Sequence, residues 1–222
     1  MQKSSIRSKT LANFGKGFLN KSLPSYLILF VNNICQLRCD MCFYWDSMQV
    51  KTTQLTLEEI EKLAKSLPNL LQLTLTGGEP SLRKDLPEIP KIFSTHSNLS
   101  KCTVVTNGML CERIRDQVYK FVTENPTVDF RMSISMDAVG DLHDKIRGVK
   151  GSFKNAEKTL NLLFKIRNEV PNLWVDVNTT ISKYNCEEFE NIHNHIITNY
   201  PVDNHVCGFT RGNTKEADAK EI

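Results

Sequence analysis

Cys35, Cys39 and Cys42 form a C-x3-C-x2-C triplet on one short stretch of chain. Thiolates packed this closely can hold one metal centre from one side. A structural zinc site or a fully ligated iron–sulfur cluster normally takes four protein ligands. Three leave one coordination position for something that is not protein. A zinc ion with a distant histidine as fourth ligand would use the same triplet, and plain buried thiols would also account for clustered cysteines. A disulfide framework is disfavoured, because the seven cysteines are an odd number without framework spacing and the sequence opens on no secretory signal.

Three further short segments carry unusual residues: Gly77-Gly78-Glu79-Pro80, Thr106-Asn107-Gly108 and Ser135-Met136-Asp137. Singly each is weak, since Gly-Gly and Asn-Gly are ordinary turn dipeptides. Their placement gives them weight. Strand-like runs read at Tyr26–Val31, Leu70–Thr76, Lys101–Thr106, Val128–Met136, Trp174–Ile181 and His205–Thr210, with helical patterns between them. Thr56 and Glu59 make a capping box ahead of Leu57, Ile60 and Leu63. Ile114, Val118 and Phe121 mark another helix, and Phe189, Ile192 and Ile196 a further one. Ser152 is the expected N-cap of a helix buried through Phe153, Ala156, Leu160 and Leu163.

Repeated β-α-β order implies right-handed crossovers and a parallel sheet, open or curled into a barrel. The first strand is nearly unbroken in apolar residues, as expected of a strand buried on both faces. The others alternate. Leu71, Leu73 and Leu75 interleave with Gln72, Thr74 and Thr76; Phe130, Met132, Ile134 and Met136 interleave with Arg131, Ser133, Ser135 and Asp137. Asp176, Asn178 and Thr180 share one side of the fifth strand. One face is therefore apolar and packs helices, while the other is polar. A one-sided parallel sheet tends to curl, so the polar face is read as the lining of a cavity; an open sheet with a wet face would give the same alternation.

Chemistry in parallel α/β folds gathers at the C-terminal ends of strands. The cysteine loop follows the first strand, Gly77 to Pro80 follow the second, Asn107 the third, and Ser135 with Asp137 the fourth. Four such segments on one rim, in this order, are hard to explain as turns.

With these residues in place, the chain resembles the radical S-adenosylmethionine superfamily. The cysteine triplet is that superfamily's signature, and Gly77-Gly78-Glu79-Pro80 matches its second motif. Ser135-Met136-Asp137 and His143-Asp144-x-x-Arg147-Gly148 resemble the segment after strand four in its SPASM-type, peptide-modifying branch. The resemblance implies an α/β fold, a partial TIM-like (β/α)6 barrel of parallel strands. It implies two cofactors, a [4Fe–4S] cluster on Cys35, Cys39 and Cys42, and S-adenosyl-L-methionine chelating the open iron. The reduced cluster would cleave the sulfonium to a 5′-deoxyadenosyl radical that takes hydrogen from a substrate.

Residue roles follow from the same resemblance. Gly77 and Gly78 would let backbone approach the methionine moiety, Glu79 would receive its ammonium, and Pro80 would stiffen the exit. Ser135 and Arg147 are candidates for the carboxylate or ribose, with Asn107, Asp137 and Asn178 as second contacts. For Arg147 a surface salt bridge is the competing reading, and for His143 a structural place in a loop. Phe43, Tyr44 and Trp45 would shield the cluster, with plain core packing as the competing reading. The implied partners are a one-electron donor such as a flavodoxin or ferredoxin and a substrate that is a ribosomally made peptide or a small molecule; a scaffold that binds a cluster or zinc without turnover is the non-catalytic alternative.

The 222 residues suffice for one well-buried domain, and a net charge of +3 with ordinary apolar content argues for neither nucleic acid nor membrane as the main partner. Residues 1–24 carry Lys3, Arg7, Lys9, Lys16 and Lys21 and no acid, and Leu11, Phe14, Phe18 and Leu19 share a helical face. The expected organisation is a basic, helical extension over 1–24 and a core domain over 25–222, which ends a turn into a sixth helix at 216–222. No cysteine-rich SPASM region is expected within this span. Reduced cysteines point to the cytoplasm.

Overall fold

The computed structural model of the protein describes residues 24–221. The expected helix over 1–24 lies, apart from Pro24, outside the described residues. Six strands form one all-parallel sheet in sequential order: β1 (Tyr26–Phe30), β2 (Gln72–Thr76), β3 (Lys101–Thr106), β4 (Asp129–Ser135), β5 (Leu173–Ile181) and β6 (Asn204–Phe209). Sequential order with right-handed crossovers puts every connecting helix on one side. The result is a partial barrel with β1 and β6 at its two open edges.

The helices are α1 (Trp45–Gln49), α2 (Leu57–Ser66), α3 (Glu88–His96), α4 (Cys111–Glu124), α5 (Asp141–Arg147), α6 (Ser152–Glu169) and α7 (Phe189–Asn199). The capping box opens α2: Thr56 Oγ1 accepts from Glu59 N at 3.2 Å, and Glu59 Oε2 accepts from Thr56 N at 2.8 Å. At α6 the expected cap is corrected. Gly151, left-handed at φ +85°, is the capping residue, and Ser152 is already helical. The Asp144 carboxylate takes the work of the cap, accepting from Gly151 N, Ser152 Oγ and Phe153 N at 2.5–2.8 Å. A carboxylate at a helix N-terminus satisfies orphan donors and complements the dipole. The periodicity of Ile89 and Phe93 in α3 is interrupted by Pro87 and Pro90, which the first turn tolerates.

The core lies between the sheet's outer face and these helices. Leu73, Leu75, Val104, Phe130, Ile134 and Val177 pack against residues such as Ile60, Phe93, Val118, Leu160 and Leu163. Phe121 of α4 stacks on Phe130 of β4 with ring centroids 5.4 Å apart. The opposite face lines a cavity of about 920 Å3. Thr74, Thr76, Thr103, Ser133, Ser135 and Asn178 point into it, so the alternation read from the strands divides core from lumen.

Two expectations are corrected. β1 is not buried on both faces: Tyr26, Ile28 and Phe30 are 50, 49 and 39% exposed and line the cavity. An edge strand has a neighbour on one side only, so its inward side chains lack cover. The described part of the expected sixth helix, residues 216–221, does not start a barrel helix either. Ala217–Lys220 form a 3-10 turn docked by Lys183 N to Ala219 O at 3.0 Å. Just before it, Lys215 N and Glu216 N donate to Cys42 O and Asp40 O at 3.1 and 2.9 Å, which carries the chain back across the rim.

Candidate active site

The cysteine loop has almost no regular structure of its own and is held by its neighbours. Arg38 N and Asp40 N donate to Arg147 O and Ile146 O at the end of α5, at 3.1 and 3.0 Å. On the other side, Gly78 N and Glu79 N donate to Asn32 O and Ile34 O at 3.0 and 2.7 Å. These contacts explain the glycine pair. Gly77 sits at φ +143°, and a Cβ there would overlap Asn32 O; a Cβ on Gly78 would overlap Ile34 O. The space a side chain would take is filled by the backbone of the cysteine loop, so the glycines serve loop-against-loop packing.

The three thiols are half-buried and line the cavity mouth. Burial raises all three above their ordinary values, and pushes Cys39 up to about 11 despite the opposing charge of Arg147. Binding metal therefore displaces protons from these groups. Donors already address the sulfurs. Leu37 N and Asn107 Nδ2 point at Cys35 Sγ, at 3.4 and 3.7 Å, and Arg147 Nη1 points at Cys39 Sγ at 3.8 Å. Thiolate ligands carry negative charge, and hydrogen bonds to them tune a cluster's potential. Among the described residues no three His, Cys, Asp or Glu side chains converge as they would on a single ion. Three thiol donors on one loop, two of them already addressed by N–H groups, suit an iron–sulfur cluster.

Behind the thiols the polar groups hold one another. Glu79 is buried, and its Oε1 accepts from Ser81 N, Ser81 Oγ and Thr106 Oγ1 at 2.6–2.9 Å. Its Oε2 accepts from Asn107 N at 2.8 Å. Pro80 opens the 3-10 turn Pro80–Leu82 that this carboxylate caps. Asn107 completes the knot, its Oδ1 accepting from Met109 N and Gln36 Nε2 at 3.0 and 3.3 Å.

Asp137 and Arg147 pair with each other, Oδ2 to Nη2 at 2.5 Å. Asp137 Oδ1 also accepts from Thr180 N at 2.8 Å. Asp137 is fully buried and does not line the cavity, so as a direct contact it is corrected to a buried support for Arg147. The competing reading of Arg147 as a surface ion pair is corrected as well, because the pair is buried. Burial opposes the Arg147 charge, but Asp137 and the Cys39 sulfur outweigh it and hold the guanidinium above its ordinary value. His143 lies in α5 rather than a loop. Its Nδ1 accepts from Asp137 N at 3.1 Å, and burial drives its pKa down to about 3, so the ring is neutral.

Ser135 and Asn178 differ from these. They stand side by side in register on β4 and β5, line the cavity, and their side chains take no hydrogen-bond partner among the described residues. Sequence reasoning missed the opposite end of the same wall. Arg131 Nη1 grips both Asp176 oxygens at 2.6 and 2.5 Å, the guanidinium lies 5.3 Å from the centre of the Trp174 ring, and Lys101 stands beside it on β3. Their signal was present in the period-2 pattern, since Arg131 shares its face with Ser133 and Ser135.

A partial parallel barrel with three thiols, a glycine turn and a polar lumen at one rim defines a class. The chain matches the Radical SAM superfamily over residues 29–196 and belongs to it; a [4Fe–4S] cluster and S-adenosylmethionine are that family's cofactors. It is 30% identical over 180 residues to the sporulation killing factor maturation protein SkfB of Bacillus subtilis, covering 79% of this chain and 40% of SkfB. It is 29% identical over 139 residues to a GTP 3′,8-cyclase of Vibrio atlanticus, covering 58% of this chain and 42% of that one. The chain thus spans less than half the length of these curated relatives. Among solved structures, SuiB of Streptococcus suis bound to its precursor peptide SuiA superposes with a TM-score of 0.68 at 19% identity, over 97% of this chain and 46% of SuiB. The anSMEcpe structure with bound AdoMet gives 0.67 at 20% identity, over 84% of this chain and 51% of that one. Among the described residues no helix is long and apolar enough to cross a membrane.

Proposed function

We propose that this chain is the catalytic barrel of a radical S-adenosylmethionine enzyme acting on a peptide. The observation that carries the reading is the three-thiol rim opening onto a polar cavity of about 920 Å3. When bound, the cluster and S-adenosylmethionine supply a carbon radical able to take hydrogen from an unactivated position. The chain's own residues do the rest. Cys35, Cys39 and Cys42 hold the cluster, while Asn107 and Arg147 donate toward the sulfurs of Cys35 and Cys39. Glu79 keeps a lone pair on Oε2, beyond its bond from Asn107 N, for the cofactor's ammonium. Gly77, Gly78 and Pro80 fix the turn that presents it. Ser135 and Asn178 offer unpartnered groups to the carboxylate or ribose, with Arg147 behind them.

A peptide is supported by the likeness to SkfB, whose name marks it as a maturation protein, and by the fold shared with SuiB, solved with its precursor peptide. The open side of the barrel between β1 and β6 gives an extended chain a way in. A one-electron donor of the flavodoxin or ferredoxin kind would reduce the cluster.

Anaerobic reconstitution tests the reading. The chain should take up about four irons with matching sulfide, as a [4Fe–4S] centre requires, and release 5′-deoxyadenosine with dithionite. Alanine at Cys35, Cys39 or Cys42 should abolish both, whereas Cys186→Ala should change neither. Tight zinc binding without iron uptake would overturn the proposal.

A further inference from the structure

The charges that line the cavity do not balance. Lys101, Arg131, Arg147 and Arg211 face two carboxylates, Glu79 and Asp176. Arg147 has a buried partner in Asp137, and Arg131 has Asp176. Glu79 is held by protein donors. Arg211 lies at the mouth, 5.7 Å from the centre of the Phe43 ring. That leaves Lys101 alone at the far end of the cavity.

Lys101 starts β3 and pairs in register with Gln72 and Asp129. From there to the rim at Thr106 the strand rises roughly 16 Å at about 3.3 Å per residue. The ammonium has no ion-pair or hydrogen-bond partner among the described residues. Burial, and then the charge of Arg131, pull it below its ordinary pKa, and Asp176 and Asp129 do not restore it. Asp129 does not line the cavity. Beside Lys101, Arg131 is fixed before any ligand arrives, gripped by Asp176 and laid against Trp174, while Asn204 Nδ2 donates to Asp176 Oδ1 at 3.2 Å. A half-buried, uncompensated ammonium beside an immobilised guanidinium is a cost to the folded chain that an anion would offset.

We infer that the floor of the lumen is a subsite for a single carboxylate of the substrate, held by Lys101 with Arg131 as the fixed second donor. The inference rests on the proposed function in taking the lumen as the substrate's place, and it narrows the substrate to one bearing an acid group remote from the reacting carbon. In a peptide that group is an aspartate or glutamate side chain or the C-terminus. One monoanion matches the one unpaired cation at this end of the cavity. A phosphate dianion would be forced against the Asp176 carboxylate. Energy gained at such a remote contact can serve to position the reacting carbon near the rim.

Ligand-observed NMR titration on the full chain, with and without reconstituted cluster, tests this with N-acetylglutamate methylamide, its neutral glutamine isostere and inorganic phosphate as probes. The acid should bind saturably and at least tenfold more tightly than the amide, and phosphate should compete more weakly than the acid. Lys101→Met should reduce the acid to the level of the amide, and Lys101→Arg should restore part of the difference. Equal affinities for acid and amide in the unaltered chain, or a preference for phosphate, would overturn the subsite without needing any variant. Iron uptake and 5′-deoxyadenosine release report separately on the proposed function, because the titration reads binding whether or not the cluster is loaded.

Discussion

The rim and the wall of the same cavity are built on opposite principles. At the rim, the functional polar groups are held by protein: Glu79 takes four protein donors, Asp137 takes Arg147 and a backbone N–H, and Asn107 ties three segments together, while Gln36 Oε1, His143 Nε2 and Arg147 Nε stay buried without a hydrogen-bond partner among the described residues. On the wall, Ser135, Asn178 and Lys101 take no partner among the described residues and face open space. A network closed on itself fixes geometry, whereas open groups await a ligand. The rim therefore holds the thiols in place, and under the proposed function the wall shares recognition with Glu79 alone at the rim.

Breaking the rim should cost stability first. Asp137→Ala leaves the buried Arg147 guanidinium unpaired, and removal of one partner from a buried pair costs about 3–5 kcal/mol. Denaturant unfolding should show a midpoint far below that of the unaltered chain; a loss under 1 kcal/mol, on the order of a surface ion pair, would dissolve the contrast. Glu79→Gln should cost about 1–3 kcal/mol, because an amide NH2 must then face N–H or O–H donors. The same unfolding experiment measures it, and an unchanged midpoint would show that the network rearranges freely.

His143 sharpens the comparison through pH. Its folded pKa is depressed to about 3 from an ordinary 6.5, so below pH 6.5 the unfolded chain binds a proton that the folded chain does not. Stability present above 6.5 is therefore lost as pH falls, at up to about 1.4 kcal/mol per unit. Unfolding measured between pH 6.5 and 5.5 should show this slope, and His143→Gln, which keeps an acceptor for Asp137 N, should flatten it. An equal slope in the variant would assign the proton elsewhere. The smallest structural effects belong to the wall. Ser135→Ala and Asn178→Ala should change stability by less than about 0.5 kcal/mol. Each should weaken S-adenosylmethionine binding by about 0.5–1.5 kcal/mol, up to roughly tenfold, if its hydrogen bond is made in the complex. Equilibrium titration of the reconstituted chain reads this directly, and a large stability loss with intact affinity would invert the roles given to rim and wall.

Much of this was legible in the residues. Period-2 alternation separates core from lumen because successive side chains of a strand point to opposite faces, and the Thr56–Glu59 box is local enough to be read from four residues. The cysteine spacing and the glycine turn needed no structure to be singled out. Other features depend on contacts far apart in sequence. Asp144, not Ser152, caps α6 through donors seven to nine residues on. The exposure of β1 follows from its place at an edge, which no window of sequence reports. The Pro87 and Pro90 interruption hid α3.

The sequence by itself determined which residue types could bind metal, which face of β2, β4 and β5 would be polar, and that the strands run parallel. Those depend on local periodicity and on the handedness of the backbone. Only the tertiary structure decided that Asp137 and Arg147 belong to each other rather than to a ligand, and that the Gly77–Gly78 turn is shaped by the cysteine loop. It also decided that Lys101 lacks a counter-charge. Pairing of buried polar groups is set by which side chains meet across the fold, and that is fixed when the strands close around the cavity.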